Sequence, residues 1–165
     1  MIISHCTRMR LTERVRRLFG GNPRRVQAAA LPWRTSAKDG SLEIMLVTSR
    51  DTGRWVLPKG WPEGPERLGQ TAQREAVEEA GIEGVAADTE IGRFYYKKLR
   101  GSGVEWRCEV AIIPLRVTRE LNKWPERKKR TRRWFSARDA ARLVDEPDLA
   151  EMLLRFADNP REIAA

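Results

Sequence analysis

A mixed α+β domain is predicted by three features of the chain. Short apolar or alternating runs bounded by Gly, Pro and polar residues recur before and after an alanine-striped segment of helical period, and two capped helical segments follow the last run. At 165 residues the chain has the length of one domain, the usual size being about 100–200 residues. We expect a basic helical extension over residues 1–23, one domain over 24–158 and a short tail over 159–165.

The elements follow in order. Residues 9–19 read MRLTERVRRLF, with Leu11, Val15, Leu18 and Phe19 at helical spacing and arginines opposite, and Gly20, Gly21, Asn22 and Pro23 stop this basic amphipathic helix. Val26 to Trp33, Glu43 to Thr48 and Trp55 to Leu57 are strand candidates separated by turn-forming residues. Leu68, Ala72, Ala76 and Ala80 recur at i, i+4 with Val77 beside them, so a helix is expected there, closed by Gly81. Ile91 to Leu99 and Glu105 to Val117 read as strands. The second is rich in apolar residues, which predicts a central place in the sheet despite Pro114 near its end. Residues 119–133 form a polar, basic connection. Trp134 and Phe135 mark a last short strand, after which Ser136 caps a helix to about Val144 and Asp148 caps another to Phe156.

Composition narrows the chemistry. With 41% hydrophobic and 33% charged residues the chain reads as globular, and its longest apolar runs, Ala28 to Leu31 and Ala111 to Leu115, fall far short of a membrane span of about 20 residues. Thirty-two Lys and Arg against 23 Asp and Glu leave a net charge of +9, which favours anionic partners: nucleic acid, phosphorylated metabolites or an acidic membrane surface. The cysteines Cys6 and Cys108 and the lone histidine His5 exclude a disulfide framework, a thiolate zinc site and histidine-based catalysis. Catalysis must therefore run on carboxylates, lysine or arginine. Two isolated cysteines and the lack of a signal-type apolar stretch suit the cytoplasm.

Residues 60–82 read GWPEGPERLGQTAQREAVEEAGI. On a regular helix of about 100° per residue, Glu75, Glu78 and Glu79 lie within an arc of about 100°, on a face adjoining the alanine stripe. Three carboxylates so placed repel unless they are exposed, partly protonated or neutralised by a cation, and an all-oxygen set suits Mg²⁺ or Mn²⁺ rather than zinc. Arg74 is placed to reach a neighbouring carboxylate and hold it, while Glu66 at the helix start adds a ligand or a dipole-favoured charge. Gly60 and Gly64 leave room for close backbone approach.

The full spacing resembles the Nudix box of the Nudix hydrolase superfamily: glycine, five residues, glutamate, seven residues, Arg-Glu, an aliphatic residue, any residue, Glu-Glu, any residue, glycine, aliphatic. Gly60, Glu66, Arg74, Glu75, Glu78, Glu79 and Gly81 meet every fixed position, with Ala76 as the small aliphatic. The resemblance implies a Nudix α/β/α sandwich, a mixed sheet between helices carrying the box as loop-helix-loop. It also implies hydrolysis of a diphosphate linked to some moiety X, with divalent metal held by Glu75, Glu78 and Glu79 and contributions from Glu66 and the Gly60 carbonyl. Arg74 would orient the carboxylates, and Glu78, Glu79 or a carboxylate outside the box would be the base.

Before the box, Val47 to Arg50 and Arg54 to Gly60 are similar to the diphosphoinositol polyphosphate phosphohydrolase branch, as are Trp124, Arg130, Arg132, Trp134 and Phe135 after it. Lys59-Gly60-Trp61 departs from that branch's glycine triplet. Diadenosine polyphosphates are the branch's other common substrates. Substrate contacts are expected from Ser49, Arg50, Arg54, Lys59, Trp61 and Arg132, and Lys97, Lys98, Arg100 and Arg107 are further phosphate-clamp candidates. The run Arg127 to Arg133 is a polyphosphate rim, an RNA-backbone contact or a solvated loop. A phosphorylated small molecule is the expected partner, ahead of nucleic acid. The alternatives are an RNA 5′ pyrophosphohydrolase or decapping-type enzyme, and a non-catalytic nucleotide- or RNA-binding module. Oligomeric state stays open.

Overall fold

The structure is a computed structural model, and it describes residues 25–99 and 105–159. The helix expected over 9–19, with the extension it belongs to, lies outside the described residues. Eight strands form one sheet: β1 (Arg25–Thr35), β2 (Leu42–Thr48), β3 (Trp55–Val56), β4 (Lys59–Gly60), β5 (Ile82–Ala86), β6 (Gly92–Leu99), β7 (Glu105–Glu120) and β8 (Arg132–Ser136). The main path runs β3-β2-β1-β7-β5, with β4 beside β1, β6 beside β7 and β8 beside β2. The β1 and β7 strands pair in parallel from Arg25 opposite Cys108 to Trp33 opposite Arg116, and the remaining pairs are antiparallel, so the sheet is mixed.

Alternation along the central strands divides the core in two. Ala29 and Leu31 of β1, Ile44 and Leu46 of β2 and Val110 and Ile112 of β7 turn to one face, where α2 (Ala137–Leu143) and α3 (Pro147–Asp158) bury Ala140, Leu149, Leu153 and Phe156 against them. Ala28, Ala30, Met45, Val47, Ile113 and Leu115 turn to the other face. There α1 (Leu68–Glu75) and the following turn pack the predicted stripe Ala72, Ala76 and Ala80, all fully buried. The result is the expected sandwich of helices around a mixed sheet. The small alanine side chains let the box helix approach the sheet closely, so the carboxylates beside them come near β4.

The strands differ from expectation where local pattern is weak. β4 has only two residues, after Pro58, and its pairing of Gly60 with Ala28 and Lys59 with Ala29 is a tertiary event with no alternation to announce it. β5 carries Gly84 and a register shift between Glu83 and Gly84, which breaks the period-two signal. β7 runs on to Glu120, taking up the start of the polar connection.

Helix ends show two more differences. The regular helix predicted through Ala80 gives way to a π turn over Ala76–Ala80, closed by Gly81 at φ +61°. Ser136 caps α2 as predicted, its hydroxyl accepting the Asp139 N–H at 3.1 Å. Asp148 does not cap α3. The helix begins on Pro147, whose fixed φ suits a first turn, and the Glu146 side chain at the cap position serves Arg54 at 2.9 Å instead. No helix among the described residues is long and apolar enough to cross a membrane.

Candidate active site

The site forms where β4 meets the box helix. A Cβ on Gly60 would fall inside the Glu75 carboxylate, so glycine is a steric requirement there. Arg74, the last-turn arginine of α1, binds the surrounding oxygens. Its Nε donates to Glu66 Oε1 at 3.0 Å, Nη1 to Glu75 Oε1 at 2.9 Å and Glu78 Oε2 at 3.3 Å, and Nη2 to the Trp61 carbonyl at 2.9 Å. Glu66 also accepts from the Thr71 hydroxyl at 2.9 Å and the Glu63 N–H at 3.0 Å. The hydrogen bond from Arg74 and these further donors hold the Glu66 carboxyl at a pKa of about 2. Glu66 is thereby committed to anchoring Arg74 to the loop before the helix.

Glu75 and Glu79 are each only 8% exposed. Burial pushes both pKa values up against the pull of neighbouring cations, Arg74 for Glu75 and Arg130 with Lys59 for Glu79, and Glu79 reaches about 7. Glu79 Oε2 accepts the Lys59 N–H at 3.1 Å, and its Oε1 accepts from Arg130 Nη2. The Arg130 guanidinium also binds the Glu126 carboxylate and, at 2.9 Å, the Thr48 carbonyl. Glu78 is far more open, its side chain 44% exposed.

The expected convergence of three carboxylates is therefore modified: among the described residues no three His, Cys, Asp or Glu side chains form a ready group for one ion. Arg74 and Arg130 stand among the glutamates and offset their repulsion. The donor set still fits a hard divalent cation, because it is all oxygen and two of its carboxylates are buried with raised pKa values, the condition a cation relieves.

These groups line a cleft of about 370 Å³. The predicted Ser49, Arg50, Lys59, Gly60, Trp61, Arg74, Glu75, Glu78 and Glu79 all reach it. The Lys59 ammonium lies over the Tyr96 ring at 5.5 Å, and burial lowers its pKa. Arg54 and Arg132 are not brought into the cleft. Arg54 is held by Asp145 at 3.2 Å and Glu146 at 2.9 Å, tying the 49–54 turn to the α2–α3 junction. Arg132 donates to the Ala80 and Gly81 carbonyls, both at 2.7 Å, and stacks on Trp124 at 4.1 Å, so it closes the end of the π turn. The side chains of Lys98 and Arg107, and the whole of Arg100, lie outside the described residues.

Seven further residues line the cleft, and of these the sequence points only to Arg130, within the basic run read as a polyphosphate rim. Gln27, buried in β1, accepts the Tyr96 hydroxyl at 2.6 Å, and Glu126 and Arg130 come from the loop before β8. Arg130 sits in a run of six basic residues, and nothing local separates it from the exposed Arg127, Lys128 and Lys129. Its burial alone marks it.

The NUDIX domain family matches residues 23–156. The chain belongs to the Nudix family. It is 34% identical over 142 residues to the mitochondrial Nudix hydrolase 12 of Arabidopsis thaliana, covering 82% of this chain and 70% of that one. To the diphosphoinositol polyphosphate phosphohydrolase 3-beta of Bos taurus it is 33% identical over 135 residues, covering 79% and 76%. Among solved structures the C. elegans Ap4A hydrolase superposes with a TM-score of 0.61 at 21% identity, covering 82% of this chain and 98% of that one, a likeness of fold. This Nudix chain is a hydrolase of phosphoric anhydride bonds, in a family whose members generally use divalent metals.

Proposed function

We propose that this Nudix hydrolase cleaves a diphosphate linkage in a highly phosphorylated small molecule, a diphosphoinositol polyphosphate or a diadenosine polyphosphate, with Mg²⁺ or Mn²⁺. The observation that carries the reading is a cleft lined both by buried carboxylates, Glu75 and Glu79, and by the cationic side chains of Lys59 and Arg50. The carboxylates suit a metal and the cations a chain of phosphates. The similarity to the bovine phosphohydrolase points to the same substrate class.

In this reading Glu75 and Glu79, with Glu78 and the Gly60 carbonyl, hold the divalent cation. Glu66 acts by fixing Arg74, which in turn orients Glu75 and Glu78. A metal bound there supplies an activated water and neutralises charge on the phosphoryl oxygens. Glu79 or Glu78, whichever is left free to face the water, would take its proton. Ser49, Arg50, Lys59 and Trp61 bind the substrate. The catalytic domain spans 24–158, and the enzyme works in the cytoplasm, although the Arabidopsis relative is named as mitochondrial. Fractionation of cells expressing the tagged chain decides between these compartments.

Exposed Arg127, Lys128 and Lys129 beside the cleft favour a second reading, hydrolysis of an RNA 5′ pyrophosphate. Product release is measured from diadenosine polyphosphates, a diphosphoinositol polyphosphate, nucleoside triphosphates and 5′-triphosphorylated RNA, for wild type and Glu79→Gln. Turnover of a small-molecule class, lost in the variant, is expected. Preferential turnover of the RNA, with affinity falling by orders of magnitude between about 50 and 200 mM salt, replaces it with the second reading.

A further inference from the structure

The loop over residues 121–131 joins β7 to β8 and rests on the π turn. Its backbone is tied there, with Leu121 N–H donating to the Gly81 carbonyl at 2.7 Å and Glu126 N–H to the Glu78 carbonyl at 3.1 Å. From this loop Arg130 enters the cleft wall with its side chain only 7% exposed. All three guanidinium nitrogens are engaged: Nε with Glu126, Nη1 with the Thr48 carbonyl and Nη2 with the Glu79 carboxylate. The second Glu126 oxygen accepts from Arg50 at 3.1 Å, which extends the alternating charges from the cleft rim to the buried carboxylate.

Glu79 thus has one oxygen on a β4 backbone N–H and the other on a guanidinium delivered by a different element. A planar guanidinium fixed at three points is a strong partner for a carboxylate in a desolvated site. A second cation at the same carboxylate is repelled by the first, and burial strengthens that repulsion.

We propose that Arg130 is a positioning residue that clasps Glu79, and that the 121–131 loop and a divalent cation compete for this carboxylate. The inference rests on the metal-dependent reading above. Metal loading draws Glu79 away from Arg130 and loosens the loop that carries Glu126 and the basic residues 127–129. By linkage the effect is reciprocal: whatever factor the clasp costs in metal affinity, the metal costs in loop anchoring.

The test uses the full chain without substrate. Mg²⁺ and Mn²⁺ binding is titrated calorimetrically for wild type, Arg130→Gln and Glu126→Gln, the last releasing the far end of the clasp without touching Glu79. Amide hydrogen exchange at Glu126, Lys129 and Arg130 of wild type is followed with and without saturating Mg²⁺. Both variants are expected to bind metal more tightly, Arg130→Gln by about 5- to 150-fold, the usual span of coupling between sites, and Mg²⁺ is expected to speed exchange in the wild-type loop. A merely structural Arg130 predicts lower stability with unchanged or weaker metal binding. That result, in Arg130→Gln or in Glu126→Gln if the first fails to fold, overturns the clasp, as does loop exchange indifferent to Mg²⁺. A wild-type protein that takes up no divalent cation overturns the metal-dependent reading along with it.

Discussion

Arg74 contacts Glu66, Glu75, Glu78 and the Trp61 carbonyl at once, and this fan of bonds depends on the planar geometry of a guanidinium. Lysine keeps the charge but offers a point in place of a fork. Arg74→Lys is expected to lower kcat/KM by about 10- to 100-fold, as loss of a ligand-orienting contact does, with the loss reduced by raising the metal concentration. Titration of kcat/KM against Mg²⁺ checks it. The two signs of carboxylate perturbation make a second prediction at this scale. Glu66, lowered to about 2, stabilises the fold above its ordinary 4.5, and that stabilisation disappears as pH falls toward 2. Glu79, raised to about 7, does the opposite. Between 4.5 and 7 the folded chain holds a proton on Glu79 that the unfolded chain has lost, so metal-free stability declines as pH rises through that window. Denaturant melts of metal-free Glu79→Gln are expected to show a shallower decline than wild type, and an identical slope refutes the assignment.

Among the elements, the π turn connects sequence spacing to site geometry. It ends on Gly81 in a left-handed conformation, and a Cβ there would also collide with the Trp124 ring. Both conditions demand glycine, and Arg132 bound to the Ala80 and Gly81 carbonyls seals the same corner. Gly81→Ala is expected to cost at least about 1–2 kcal/mol from the backbone conformation alone. Because the strain falls next to Glu79, metal affinity should weaken as well. Urea melts with a parallel metal titration test this, and a variant as stable as wild type contradicts it. The box glycine at the other end of the motif, Gly60, has a different reason: its position in β4 is shared with the Glu75 carboxylate.

Across the whole molecule, the sheet separates two jobs. One face packs the alanine stripe of the box helix, while the other packs α2 and α3 through larger side chains such as Leu153 and Phe156, both fully buried. Leu153→Ala should therefore lower global stability by about 2–5 kcal/mol, the usual cost of a cavity of that size, and leave metal affinity unchanged below the melting transition. Thermal melts beside calorimetric titration distinguish this from a variant that damages the site. A coupled loss of metal binding would mean that the two faces are not independent.

Long-period pattern was legible without coordinates. The strands Val26 to Trp33, Glu43 to Thr48 and Ile91 to Leu99, the alanine stripe and the Ser136 cap are local, each set by alternation, helical spacing or one side-chain hydrogen bond. The box residues were legible for the same reason, since their spacing lies within 23 residues of continuous chain from Gly60 to Ile82. β4 and β5 were not, because two residues after a proline and five around a glycine bulge acquire their partners only when β1 and β7 are already in place. Nor were the assignments of individual cations. Arg50, Arg54, Arg130 and Arg132 are equivalent as letters, yet the cleft takes Arg50 and Arg130, while Arg54 braces a helix junction and Arg132 closes a turn. A side chain's charge is inherent in the sequence, but its burial and its partners arise from contacts across as many as 92 positions of chain, and only the folded sheet brings them together.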